Sequence, residues 1–260
     1  MEKKPSLPAS GERPDIRLIC TAAQMVLENG GETYRVEETA MRMAAGLGLK
    51  DVNVVAFPTS IYVNVGDHCR IRRITHRGTN TTRLSRINDV SRKVERGEMN
   101  AKEAGHALEE IAADPGWHQL TLIAAYGVSA ASFSLLFGGN IGSLLVALVI
   151  GMLVQSIQPL FSHISMGTLI FNFTGGLLTA ALSELIAVII PYGSINAAIV
   201  GGIMPMLTGL LMTTAVRDTM YGDLVSGICR AVEALLLAGC VALGVFVGLK
   251  FMAMMGGVLL

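Results

Sequence analysis

Two stretches without a single charge dominate this sequence: Pro115 to Ser183 and Leu185 to Val216 contain no Asp, Glu, Lys or Arg, and Ala234 to Leu260 carries only Lys250. A chain cannot hold such runs in water unless they are buried, and about 20 mostly apolar residues suffice to cross a bilayer as a helix. The charge is correspondingly lopsided. Of 20 Lys+Arg, 17 lie within residues 1–117, as do 16 of 20 Asp+Glu. The first half is therefore a water-soluble protein of ordinary composition, and the second is expected to be a membrane domain. The near balance of charge excludes the basic excess of a nucleic-acid binder.

Along the soluble half, Ile16, Ile19, Ala23, Val26 and Leu27 follow helical spacing until Asn29-Gly30-Gly31. A second helix is predicted from about Glu32 to Leu47, with Val36, Ala40, Met43 and Ala44 inward. Val52 to Phe57 reads as a strand ended by Pro58. Ile61, Val63 and Val65 alternate as a second strand, and Gly66-Asp67 turns the chain into a third around Cys69 to Ile74. Polar helices at Thr82 to Arg96 and Asn100 to Ala113 complete an α+β domain. The expected division is a flexible tail at 1–14, a cytoplasmic α+β domain at 15–117 and a transmembrane helical domain at 118–260. MEKKPSLPASGERPD lacks the apolar core of a cleaved signal.

Beyond Asp114-Pro115-Gly116-Trp117 we place five spans, about 119–138, 141–158, 164–190, 195–216 and 229–253; hydropathy alone also accommodates four or six. The third holds Gly175-Gly176 and could be tilted or interrupted. Connections at Gly138-Gly139-Asn140 and Pro191-Tyr192-Gly193 carry no Lys or Arg, whereas Arg217 to Arg230 does. Basic residues favour the cytoplasmic side, so the N-terminus is expected inside and the C-terminus outside. This membrane half holds 19 of the 29 glycines, which allow helices to approach closely.

Arg217, Asp218, Asp223, Arg230 and Glu233 are the principal candidates for handling a substrate or a proton. Asp223, Arg230 and Glu233 would share a face if one helix ran through them, and an arginine can meet a carboxylate bidentately. The competing reading is an interfacial loop whose charges pair with one another. Glu184, deep in the third span, is a candidate proton carrier, because acids inside hydrocarbon are costly, or else an interfacial carboxyl that snorkels outward. Asn140, Gln155, Gln158, Asn172 and Asn196 could line a polar path or simply join helices. Pro205 frees a carbonyl and can break its helix, a device that builds binding sites in transporters.

Arg35, Glu37 and Glu38 on the second soluble helix form either a candidate gate or docking surface for the 217–230 loop or simply the capped, salt-bridged start of that helix. Arg70, Arg72, Arg73 and Arg77 could touch anionic lipid headgroups or form a solvated face. Scattered Cys20, Cys69, Cys229 and Cys240, with His68 and His76, make no metal or disulfide pattern. No phosphate-binding Gly-x-x-x-x-Gly-Lys loop or Gly-x-Ser-x-Gly elbow is present. No cofactor, metal or nucleic acid is expected. A membrane-anchored hydrolase or a sensor acting through the soluble half is the competing class.

Two stretches carry a family resemblance. MVLENGGETYRVEETAMRMAAGLGL, through Glu28, Asn29, Gly30, Glu32, Tyr34, Arg35, Glu37 and Glu38, and a C-terminal stretch, through Pro205, Asp218, Gly222, Asp223, Gly227 and Arg230, resemble the threonine/serine exporter family and, within it, the YjjP-type N-terminal subunit. The resemblance implies a non-enzymatic secondary exporter of small polar metabolites in the bacterial inner membrane. It implies proton-motive-force drive and cargo such as threonine, serine or succinate-like dicarboxylates. A chain of five spans implies a second small polytopic membrane subunit, and a homo-oligomer is compatible with the same reading. Met206 departs from the glycine that the family commonly places after this proline.

Overall fold

The computed structural model describes residues 14–161, 164, 167–189, 194–207 and 209–259. Residues 1–13 of the expected tail, the Pro191-Tyr192-Gly193 connection and part of the Gln158–His163 connection lie outside the described residues, while Pro14 already belongs to the first helix. The chain forms two compact units: one runs to Asp114 and adds Thr213–Arg230, and the other comprises Pro115–Met212 and Ala231–Leu260. The first unit thus recruits a segment far along the chain, beyond the soluble half that composition delimits.

In the first unit, α1 (Pro14–Glu28) and α2 (Thr33–Gly46) precede β1 (Val52–Phe57), β2 (Ser60–Val65) and β3 (His68–Arg73), followed by α3 (Thr81–Glu95) and α4 (Ala101–Ala113). The sheet is an antiparallel meander in the order β1-β2-β3, pairing Val54 with Val63 and Val63 with Arg70. Strand alternation sends Val54, Ala56, Ile61 and Val63 into the core and leaves Val55, Tyr62 and Ile71 exposed. Ile19, Leu27, Val36, Met43, Ile87, Val94 and Leu108 close that core from the helices. Asn100 starts α4 with a reciprocal capping box through Glu103. These elements follow the sequence expectation closely, because each has a strong period and a clear stop.

The second unit is built from α5 (Gln119–Leu136), α6 (Ile141–Phe161), α7 (Gly167–Ile189), α8 (Ile195–Ile203), a 3-10 turn at Met204–Met206, the start of α9 (Gly209–Met220) and most of α10 (Leu224–Leu259). Among the described residues, four helices are long and apolar enough to cross a membrane, or up to five spans result if the bent pair α8/α9 counts as one. α7 continues unbroken through Gly175-Gly176, so the glycine pair does not interrupt the third predicted span. Its purpose is proximity: a Cβ at Gly176 would lie 2.5 Å from the Val241 carbonyl oxygen of α10, and one at Gly244 would overlap the Phe173 carbonyl of α7. Contacts this close need a residue without a side chain. The break instead follows Pro205, whose missing N–H ends regular helix at the 3-10 turn.

Candidate functional site

The segment Thr213–Arg230 shows why a charged corner can be buried in the first unit. Gly222 turns with φ +95, a conformation glycine adopts at low cost. Gly222 N–H donates to the Thr219 carbonyl at 3.1 Å and Asp223 N–H to that of Asp218 at 2.9 Å, the two bonds that close a helix end in a left-handed cap. The closure brings the Asp218 and Asp223 carboxylates to one residue. Asp218 Oδ1 accepts the Thr33 backbone N–H at 3.1 Å, and Asp223 Oδ2 accepts the Thr33 hydroxyl at 2.8 Å.

Thr33 is the first residue of α2, and Glu32 before it makes no capping bond with its own side chain. The N-terminal amides of a helix lack partners within the helix and sit at its positive end. Asp218 therefore caps α2 from a distant part of the chain, and Asp223 holds the hydroxyl of the same residue. Arg230 completes the arrangement. Its Nε lies 2.9 Å from Asp218 Oδ2, and its Nη2 donates to the Gly31 carbonyl at 2.9 Å. Asp218 is fully buried and Arg230 is 3% exposed, so neither charge has water to fall back on.

Around this buried pair lies a more open layer. Arg217 Nη1 meets Glu32 Oε1 at 2.6 Å, Arg35 Nη1 meets Glu32 Oε2 at 3.4 Å, and the rings of Tyr34 and Tyr221 stack 4.0 Å apart. Burial pushes the Glu32 carboxyl upward, but its hydrogen bonds and the two guanidinium groups outweigh this and hold it below the ordinary carboxylate value. Glu37 accepts the Ala56 N–H at 2.9 Å. Burial is the largest influence on it and raises its pKa, with Asp223 adding to the effect. Glu38 pairs with Arg42 one helical turn away.

The second unit contains a cavity of about 260 Å³ beside the helix break, lined by Tyr126, Gln155, Thr168, Asn172, Pro205 and Met206 among others. Among its described lining residues there is no Asp, Glu, Lys, Arg or His. Gln155 and Asn172 are buried, and the Asn172 amide donates weakly to the Leu237 carbonyl at 3.5 Å. The predicted candidates thus part company. Asn172 and Pro205 line the cavity, whereas Arg217, Asp218, Asp223 and Arg230 belong to the capped corner of the first unit. Asn196 is exposed, while Glu184 on α7 and Glu233 on α10 are half-buried. Asp223 immediately precedes α10 rather than lying on one helix with Arg230 and Glu233.

Sequence reasoning did not assign Thr33 or Tyr126 to a site. The available signal for Thr33 was its place just after a glycine stop, where a helix needs capping. No short-range pattern marks Tyr126. Among the described residues no group of three or more His, Cys, Asp or Glu is placed to hold a metal ion.

The ThrE threonine/serine exporter family model matches residues 17–252, spanning both units. The chain belongs to the threonine/serine exporter family. It is 24% identical over 249 residues to "Probable threonine/serine exporter" of Mycobacterium tuberculosis, covering 92% of this chain and 46% of that protein. It is 21% identical to "Threonine/serine exporter" of Corynebacterium glutamicum, over 83% of this chain and 46% of the relative. A third relative, "Probable succinate transporter subunit YjjP" of Klebsiella aerogenes, is 22% identical over 95% of this chain and 97% of its own length. The chain therefore spans about half the length of the two relatives named as threonine/serine exporters, and nearly all of the one named as a subunit. No solved structure matches it. Family membership together with the apolar helices makes this a multi-pass membrane protein of a transporter family.

Proposed function

We propose that this family member is the membrane subunit of a proton-motive-force-driven exporter of small polar metabolites, and that its cargo passes through the cavity beside Pro205. The observation that carries the proposal is an uncharged but polar space at a helix break, bordered by buried Gln155 and Asn172. Discontinuous helices offer unpaired backbone carbonyls and amides to a cargo. The carboxamides can donate and accept, which suits a zwitterion or a carboxylate-bearing metabolite such as threonine, serine or succinate. Glu184, a half-buried acid on the helix that also carries Asn172, is the proposed proton carrier. The capped corner at Asp218 and Arg230 is the proposed mechanical coupling element, because it locks α2 onto the turn between α9 and α10.

In the same reading the α+β portion lies in the cytoplasm of a bacterium, and Arg35 and Glu37 belong to its docking surface. A second small polytopic subunit completes the exporter. Support for that partner is the match to nearly the full length of a protein named as a subunit, against under half of the two named as exporters. Cells loaded with threonine, serine or succinate should release one of them faster when the chain and its partner are expressed, and a protonophore should abolish the difference. Asn172→Ala should remove most of that release while the protein still reaches the membrane. Undiminished release by Asn172→Ala and Gln155→Ala variants would remove the cavity from the pathway, and indifference to the protonophore would remove the proton.

A further inference from the structure

Met206 occupies an unusual place. It closes the 3-10 turn that follows α8, is 5% exposed, and lines the same cavity as Gln155 and Asn172. Its thioether also fills the space that a side chain at position 175 would need. A Cβ built on Gly175 would overlap Met206 Cε, come within 3.0 Å of Met206 Sδ and within 3.3 Å of Val154 Cγ1. Gly175 is thus the recess in α7 that receives the end of the Met206 side chain. Methionine is unbranched and adaptable, so it can hold this position or swing into the adjoining cavity.

We infer that Met206, seated in the Gly175 recess, sets the length of the cargo that the cavity accepts. This rests on the cavity being the cargo site. The physical basis is volume: the end of the Met206 side chain fills the space beside Gly175 within the cluster that includes Val154 and Phe171, and the same residue lines the cavity. Shortening residue 206 extends the cavity along the recess. Filling the recess pushes the thioether out, and the open space beside it is the cavity. The two changes must therefore act in opposite directions, which a general packing defect would not do. A difference of one methylene in an apolar pocket is worth about 10-fold or more in discrimination.

The test uses cells expressing the full chain with its partner, loaded with two ladders of increasing length, serine–threonine–leucine and succinate–adipate. The ladder that the unmodified protein exports is the one compared. Met206→Ala should raise the release of the longer member relative to the shorter by about 10-fold, and Gly175→Ala should lower that ratio below the unmodified value. Ratios that stay within about twofold in both variants would overturn the inference. If Met206→Ala does not reach the membrane, Met206→Val replaces it, since it also shortens the side chain while removing less volume. If neither does, Gly175→Ala decides alone. Asn172→Ala separates the role of Met206 from that of the cavity. Loss of all release in that variant with unchanged length ratios in the others sinks only the role of Met206. Undiminished release in Asn172→Ala sinks the cargo site itself.

Discussion

The two units solve the problem of buried polarity in opposite ways. In the first, full charges are buried, and each is met by an opposite charge and a hydrogen bond: Asp218 faces Arg230 and the Thr33 amide, and Arg230 also reaches the Gly31 carbonyl. In the second, the buried polarity around the cavity is neutral, carried by the carboxamides of Gln155 and Asn172, and Asn172 donates to the Leu237 carbonyl over a long 3.5 Å. A buried ion pair resists separation, since parting its members leaves each uncompensated. A loosely held carboxamide is free to exchange its partner for a passing solute. In the proposed reading, the charged residues conspicuous in a hydrophobic sequence hold the architecture, while the less conspicuous amides meet the cargo.

The sharpest way to break the comparison is to strip the ion pair. Arg230→Ala should cost about 3–5 kcal/mol of stability by leaving Asp218 buried without a counter-charge. Thermal unfolding in detergent should show a larger loss than any substitution at Gly175, Gly176, Glu32 or Glu37 produces. Replacing both partners together, as Arg230→Met with Asp218→Leu, should recover much of the loss, because an apolar pair carries no stranded charge. A double variant no more stable than Arg230→Ala would mean that the pair contributes through its bonds to Thr33 and Gly31 instead.

Next in size is the close contact of α7 and α10. Gly176→Ala places a methyl group against the Val241 backbone carbonyl, which cannot rotate away. The expected destabilisation is about 1–3 kcal/mol, again read from thermal unfolding. Gly175→Ala should cost less, because the atom in its way is the flexible end of Met206. Equal costs at the two glycines would contradict the distinction between a backbone clash and a side-chain one.

The smallest effects concern the open layer, where pH distinguishes two glutamates on neighbouring turns. Glu32 titrates below its ordinary value when folded. Its contribution is therefore complete above the unfolded carboxylate range and is lost as pH falls through the lower folded value. Glu37 titrates above its ordinary value. Its protonated form favours folding below the unfolded value, and that advantage disappears as pH rises through the folded one. Glu32→Gln should thus weaken the protein at neutral pH and flatten its acid-side decline. Glu37→Gln should raise or preserve stability at neutral pH, since an amide oxygen still accepts the Ala56 N–H. Melting curves between mildly acidic and neutral pH test both signs.

Much of the first unit could be read before any coordinates. Helices and strands appeared where periodicity ended at glycine or proline, as at Asn29-Gly30-Gly31 and Phe57-Pro58. Pro205 marked a true break because the missing amide is a local fact. Gly175-Gly176 was ambiguous for an equally plain reason. A glycine pair weakens a helix and also permits close packing, and only the position of Val241 shows which property is used.

What the sequence determined alone is the contrast between a charge-bearing part and long apolar helices, because the need to bury uncharged runs depends on composition and not on partners. It also marked the charged corner as exceptional, since few ionised groups persist in such surroundings. Only the tertiary structure decided what those charges meet. The residues that hold Thr33 at the start of α2 lie 185 and 190 positions further along the chain, and no local period relates them. The cavity is likewise a product of folding: Tyr126, Gln155, Asn172 and Met206 come from four separate elements, and the space among them exists only once those elements have packed.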